Sequence, residues 1–241
     1  MSLNTYDKEL SGTFQKSDAK PDKQFSFLPT VLSIIGNLSG KIVLDLGCGD
    51  GFFAKALVNA GAEKVIGIDN SEEQLNLANL QPHSEKIVYQ YGNIFRDHLP
   101  AADVILTPFV ANYAQSLENL EFLFKNIWQS LNKGGKVILV VDLPKGKDLK
   151  KFGSVKTLQG QPTDGIQIKI DLYNGDEFIC TLFSYYYTPE TLEKTLQEAG
   201  FRDIRWHKPI VSEEGLKKFG KGFWEGFSEN SELGYISAEK I

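Results

Sequence analysis

Between residues 41 and 141 the chain switches repeatedly between short apolar runs and amphipathic stretches. Residues 41–46 (K-I-V-L-D-L) read as a buried strand, and residues 51–60 follow with Phe52, Phe53, Ala56, Leu57 and Ala60 at helical spacing. Gly61 breaks that pattern, and residues 64–68 give a second strand. Ser71 with Glu72 and Glu73 supplies a hydroxyl cap and two acids for the positive end of a helix that runs to about Leu80, where Pro82 stops it. Third and fourth strands are expected over 86–91 and 103–106. Leu120, Leu123, Phe124, Ile127 and Leu131 form a stripe that predicts a helix over 117–131, ended by Gly134-Gly135. The continuous apolar run that closes at Val141 has the character of a strand buried on both faces. Strands alternating with helices at this spacing predict an α/β fold, with a doubly wound, mostly parallel open sheet.

The pattern changes after residue 142. Residues 145–156 carry five lysines with Gly146 and Gly153, which reads as a solvated loop. Two strand-like runs, 166–173 and 176–187, meet at Asn174-Gly175, a strong hairpin signal. Thr188-Pro189-Glu190 starts a helix that ends at Gly200. A strand over 201–207, a short helix near 212–219 and a last strand near 233–238 complete the chain. Residues 4–27 are polar and read as an arm or short helices over the domain. The expected organisation is one domain over 1–241: an arm over 1–38, a core over 39–142, a loop and hairpin lid over 143–187, and a C-terminal helix and strands over 188–241.

Composition narrows the picture. Hydrophobic residues make up 41% and charged residues 24% of 241, values of an ordinary globular chain rather than a disordered one. The net charge of −5 argues against a nucleic-acid partner, which needs clustered Lys and Arg. No apolar run reaches the ~18–20 residues that span a bilayer, and residues 1–10 lack the basic flank and apolar stretch of a signal peptide. Cys48 and Cys180 are too few for a disulfide scaffold and form no C-x-x-C pair, which suits a reducing, cytoplasmic setting. His83, His98 and His207 have no metal-ligand spacing, so no metal site is expected.

The strongest chemical signal is V-L-D-L-G-C-G-D-G-F-F, residues 43–53. A buried strand runs into a glycine-rich turn and then a helix. Gly47 and Gly49 let the backbone turn sharply and approach a ligand, and the helix start beyond Gly51 offers free N–H groups. Asp69 ends V-I-G-I-D, one strand–helix–strand unit later, where an acid accepts from two ribose hydroxyls. Two features set this site apart from a dinucleotide fingerprint. Phe52 stands where the third glycine of G-x-G-x-x-G belongs, and Asp45 would repel a pyrophosphate yet accept from an amino acid's ammonium group. Both favour S-adenosylmethionine over NAD.

Residues 43–53 resemble the first motif of class I S-adenosylmethionine-dependent methyltransferases, and V-I-G-I-D-N-S resembles their acidic second motif. Tyr91-Gly92-Asn93, strand four over 102–107 and L-N-K-G-G-K-V-I-L-V-V over 131–141 extend the likeness across residues 40–142. Asn112-Tyr113-Ala114, Tyr185-Tyr186-Tyr187 before Thr188-Pro189-Glu190, Ala199-Gly200-Phe201, Trp206-His207 and residues 219–224 resemble the small-molecule methyltransferases related to toxoflavin synthase. The resemblance implies a seven-stranded sheet with its last strand antiparallel. It implies that Asp45, Gly47 and Gly49 contact the methionine end, that Asp69 holds the ribose, and that Asn70 and Gln74 lie near the adenine. Asn93 stands where the family usually has Asp for the adenine amino group, and Ile94 supplies backbone N–H and apolar packing. Cys48 within the turn and Thr107 after strand four complete the cofactor-binding set. Thr107-Pro108-Phe109 departs from the Asn/Asp-Pro-Pro-Tyr/Phe pattern of base and glutamine N-methylation, and no Pro-Cys pair for cytosine carbon-5 chemistry is present.

Twelve aromatic residues fall after Glu177, enough to roof a pocket as well as fill a core. Phe14, Phe27, Tyr113, Tyr186 and Trp224 are the substrate-contact candidates. Tyr113, Tyr186 and His207 are candidates for a general base, and the sequence does not choose among them. The expected activity is methyl transfer from S-adenosylmethionine, giving S-adenosylhomocysteine, to an oxygen or nitrogen of a small and possibly aromatic molecule. A protein or RNA acceptor, a cofactor-binding non-enzyme and an NAD-dependent oxidoreductase remain as alternatives.

Overall fold

The computed structural model describes residue 4, residues 6–82 and residues 84–241. His83 and the start of the expected arm (residues 1–3 and 5) lie outside the described residues. Eleven strands, numbered in chain order, are seen there: β1 (Ile42–Leu46), β2 (Lys64–Asp69), β3 (Ile87–Tyr91), β4 (Ala102–Pro108), β5 (Leu131–Asp142), β6 (Asp148–Leu149), β7 (Ser154–Leu158), β8 (Gln167–Asn174), β9 (Glu177–Tyr185), β10 (Arg202–His207) and β11 (Leu233–Glu239). The helices that position the site are α1 (Lys8–Phe14), α2 (Leu28–Ile35), α3 (Phe52–Asn59), α4 (Glu72–Leu80), α5 (Leu117–Ser130), α6 (Pro189–Ala199) and α7 (Glu213–Phe219).

Seven strands form one sheet in the order β10-β11-β5-β4-β1-β2-β3. The pairs β1/β2, β1/β4, β2/β3 and β4/β5 are parallel, whereas β11 runs antiparallel to both of its neighbours. The expected sheet, with its reversed last strand, is therefore present. Each central strand sends alternate residues to opposite faces. Val43 and Val65 pack with Val31 and Ile35 of α2 and Leu57 of α3 on one side, while Leu44 and Ile66 pack with Phe124 of α5 and Leu196 of α6 on the other. The helix starts follow the cap chemistry: Ser71, Ser116, Thr188 and Ser212 each accept the N–H three residues on.

Two local expectations change. Gly134-Gly135 do not end α5. The helix stops at Ser130, and Leu131 enters β5 directly in extended conformation. Residues 132–135 bulge out between the pairs Ala102↔Leu131 and Val104↔Lys136, and the Gly134 and Lys240 amides close the bulge onto Lys240 and Gly135 carbonyls. A Cβ on Gly135 would lie 2.8 Å from the Asn132 oxygen and 2.9 Å from the Asp103 oxygen, both backbone. Gly135→Ala is therefore expected to cost about 1–3 kcal/mol through enforced backbone shifts, measurable as a lower urea midpoint with unchanged slope.

The second change concerns residues 145–156. The expected hairpin, β8/β9, is half of a four-stranded antiparallel sheet β6-β7-β8-β9. Leu149 and Phe152 are buried, and Lys156 lies on β7 with only 6% exposure. The loop reading failed because β7 (S-V-K-T-L) turns its polar residues inward: Ser154 and Lys156 are buried while Thr157 is exposed. The inner face of this sheet, with Ile168, Ile170, Leu172 and Leu182, packs against Tyr6, Leu10 and Phe14 of the arm.

Candidate active site

The carboxyl ends of β1, β2, β3, β4 and β5 reach the same edge of the parallel sheet, the edge at which open α/β folds bind ligands. The turn after β1 is fixed there by two hydrogen bonds, from the Gly47 and Cys48 amides to the Ile68 carbonyl of β2, at 2.8 and 3.2 Å. Gly47 has φ 67°, and a Cβ on it would sit 2.9 Å from Val110 Cγ2. Glycine is thus required by both conformation and space. Asp69 closes the opposite side. Its two carboxylate oxygens accept from the Gly49 and Ser71 amides, each at 2.9 Å. Burial raises the Asp69 pKa against these backbone donors.

Two neighbouring groups lack partners. Asp45 is fully buried, and neither carboxylate oxygen makes a hydrogen bond. Burial first, then the charge of Asp69, pushes its pKa up to about 8, although the nearby Ala54 N–H, outside hydrogen-bond geometry, favours the charged form. The carboxamide of Gln74, with 3% exposure, also has both polar atoms unpaired. Buried polar groups left this way are costly and mark a place where a ligand supplies the complement. An ammonium suits Asp45, and a nitrogen heterocycle with an amino group suits Gln74. These residues fit the amino-acid and adenine ends of S-adenosylmethionine.

A cavity of about 230 Å³ runs from this edge toward the arm and the antiparallel sheet. Gly47, Gly49, Asp69, Asn70, Gln74, Gly92 and Ile94 line the first part. Cys48, Asn93 and Thr107 stand behind it. Cys48 is buried against Gly67, and burial holds its thiol well above the usual range. The Asn93 side-chain oxygen accepts from the Phe95 amide at 3.0 Å, so that it shapes the loop whose Ile94 and Phe95 line the cavity. Thr107 is fully buried within β4.

Its far end is built by the arm, by the residues after β4 and by the antiparallel sheet. Tyr6, Phe14, Phe27, Phe109 and Tyr113 line it with Ile170, Leu172 and Leu182. Tyr6 and Tyr113 share a hydroxyl–hydroxyl hydrogen bond of 2.9 Å, and the Asn4 amide donates to the Tyr113 hydroxyl at 3.0 Å. Asn4 also bridges both backbone groups of Phe183 on β9, which ties the arm to the lid sheet. Burial pushes the Tyr113 phenol up to about 12, against the hydrogen bonds from Tyr6 and Asn4. Tyr113 thus presents a protonated, hydrogen-bonded phenol to the cavity.

Three sequence candidates lie elsewhere. Tyr186 packs on the lid sheet beside Asp164 and Glu190 and does not line the cavity. His207 sits on the edge strand β10 with Nε2 at 2.8 Å from Ser237 Oγ. Trp224 donates to the Gly215 carbonyl at 3.0 Å inside a cluster with Phe25, Phe152 and Phe227. Conversely, Lys20, Asp22, Lys23, Asp142, Lys156 and Ser184 line the cavity although nothing in the local sequence marks them. Lys156 pairs with Asp142 at 2.6 Å, both nearly inaccessible. Asn112 accepts from the Asp142 amide at 2.9 Å and donates to the Tyr185 carbonyl at 2.9 Å, joining β5 to the lid. Among the described residues, no group of three or more His, Cys, Asp or Glu is arranged to hold a metal ion, and no helix is long and apolar enough to cross a membrane.

Several known proteins resemble this chain in sequence or fold. An uncharacterized protein of Haemophilus influenzae is 33% identical over 155 residues, which is 59% of this chain and 59% of that protein. A ubiquinone biosynthesis O-methyltransferase of Acinetobacter baylyi is 46% identical over 52 residues, 22% of this chain and 21% of that protein. The matches thus span less than two thirds of the length of these curated relatives. A solved S-adenosylmethionine-dependent methyltransferase from Mesorhizobium loti shares the fold with a TM-score of 0.65 at 18% identity, over 92% of this chain and 99% of its own. The family model described as a methyltransferase domain matches residues 18–205. The chain belongs to this family of S-adenosylmethionine-dependent methyltransferase domains.

Proposed function

We propose that this protein transfers a methyl group from S-adenosylmethionine to a small molecule held in the far end of the cavity. The observation that carries the reading is the continuity of one cavity from the Gly47–Asp69 edge to a chamber roofed by the arm and the antiparallel sheet. Such a chamber suits a small acceptor better than a protein or an RNA strand. When bound, S-adenosylmethionine supplies an electrophilic methyl carbon on a sulfonium.

The chain's own residues bind, orient and exclude water. Asp69 retains lone pairs beyond its two backbone bonds to accept from ribose hydroxyls. Asp45 takes the ammonium, and Gln74 with the loop at Ile94 takes the adenine. Tyr6, Phe109 and Tyr113 line the place where the acceptor would be aligned, and alignment of this kind supplies ~7–11 kcal/mol of barrier reduction. Asp69→Ala is expected to weaken S-adenosylmethionine binding by about 1–3 kcal/mol, since a charged acceptor is lost. Calorimetric titration of the folded variant checks this.

The acceptor class is tested by incubating the protein with methyl-labelled S-adenosylmethionine and fractionated cell extract. Label in the small-molecule fraction supports the proposal. Label in protein or RNA would replace it with a macromolecular acceptor, and label in none would favour a cofactor-binding non-enzyme.

A further inference from the structure

Two buried ammonium groups, those of Lys20 and Lys156, line the cavity, each beside one carboxylate. Lys20, at the close of the arm's helical turns, is 8% exposed, and its Nζ lies 3.5 Å from Asp22 Oδ1. That carboxylate oxygen makes no hydrogen bond, so the contact is an ion pair without a directed N–H. No hydrogen bond from Lys20 Nζ to another described residue is present. Lys156 enters from β7 on the other side. Its Nζ meets Asp142 Oδ1 at 2.6 Å and otherwise only the Glu232 carbonyl at 3.4 Å.

Each ammonium carries three donors, so both retain N–H capacity. Burial lowers the Lys20 pKa, Asp22 opposes the shift, and the charges of Lys23 and then Lys156 add to it. Lys23 is occupied elsewhere, paired with Asp18 and placed over the Phe52 ring at 4.4 Å. A buried ammonium with unused donors costs more than an apolar side chain of similar size. Two of them line one cavity from separate elements, with N–H donors left over for an added acceptor. The wall also carries Ile170, Leu172, Leu182 and Leu233, with the hydroxyls of Ser17, Ser154 and Ser184. Asp22 and Asp142 flank the lysines, which favours a single negative charge over a doubly charged phosphate.

We propose that the methyl acceptor is a small organic acid, with its carboxylate bound between Lys20 and Lys156 and its apolar body against Ile170, Leu172 and Leu182. This rests on the methyl-transfer reading above and makes both lysines specificity determinants.

The test uses the full chain saturated with S-adenosylhomocysteine. Probes are 4-hydroxybenzoate, 4-hydroxyphenylacetate and hexanoate, the primary amide of each, tyramine, and 4-nitrophenyl phosphate beside 4-nitrobenzoate. Binding is read by calorimetry. The expected result is that at least one acid binds, that its amide binds at least tenfold more weakly, and that Lys20→Met removes this preference while S-adenosylhomocysteine affinity changes less than twofold. Lys20→Arg should retain most of the preference. Lys20→Met is the primary variant because Lys156→Met also breaks a tight buried pair. Acids and amides binding alike, no acid binding, a preference for tyramine or for the phosphate ester, or an unaltered preference in Lys20→Met would each overturn the assignment. Failure of S-adenosylhomocysteine itself to bind would instead overturn the underlying cofactor reading.

Discussion

Lys156→Met is expected to destabilise the protein by about 3–5 kcal/mol, the usual consequence of leaving one member of a buried ion pair without its countercharge. Asp142 and Lys156 have side-chain exposures of 4% and 5% and approach to 2.6 Å. Water has no access to replace the lost ammonium. The pair also joins the end of β5 to β7, so its loss loosens the antiparallel sheet from the parallel one. The double variant Lys156→Met/Asp142→Asn removes both charges and is expected to recover most of the loss, since a neutral pair has no desolvation penalty of this size. Denaturant unfolding of the parent, the single and the double variants forms the check. Equal stability of Lys156→Met and the parent would mean that the pair is solvated in solution.

Asp45→Asn has the second large effect, and it acts in two directions. On cofactor binding it removes a buried countercharge for the ammonium of S-adenosylmethionine, a loss of about 2–5 kcal/mol. On the stability of the free protein it acts the other way. In an unfolded chain Asp45 titrates at about 3.9, whereas in the fold burial and the nearby Asp69 charge push it up to about 8. Between these values the folded state holds a proton that the unfolded state has released. The contribution of Asp45 is therefore fully present below about pH 4 and is lost as pH rises through about 8. Asparagine does not titrate. The variant should thus show a flatter stability profile over this window and a gain over the parent that is largest above pH 8. Unfolding curves at pH 5, 7 and 9 without ligand, set beside titrations with S-adenosylmethionine, separate the two effects. A variant that binds as well as the parent would remove Asp45 from the site.

What could be read in the sequence follows from how local the causes are. The turn at Gly47 and Gly49, the acid at Asp69, the caps at Ser71 and Thr188 and the apolar run of β5 are each set by neighbouring residues, and each stands where its pattern placed it. Lys156 was hidden because β7 buries its polar alternation, with Ser154 and Lys156 inward. That inversion is stable only because Asp142 waits on a different sheet. Lys20 and Tyr6 escaped notice for a related reason: a polar arm gives no periodicity to show which side chains it folds inward. Tyr186 stands one residue beyond the end of β9 at Tyr185, and its ring lies with Asp164 and Glu190 outside the cavity lining. The surroundings of His207 and Trp224, an edge strand and an aromatic cluster, are set by long-range packing that local sequence does not show.

The central claim is that the turn after β1, Asp45, Asp69 and Gln74 form a site for S-adenosylmethionine. The most direct measurement is thermal unfolding with S-adenosylmethionine, S-adenosylhomocysteine, NAD and NADP, each added alone. A ligand at ~100 times its dissociation constant stabilises by ~2.7 kcal/mol. The account predicts a rise in Tm with the two sulfur nucleotides and none with NAD or NADP. A rise with NAD or NADP alone, or none with any of the four, would contradict it.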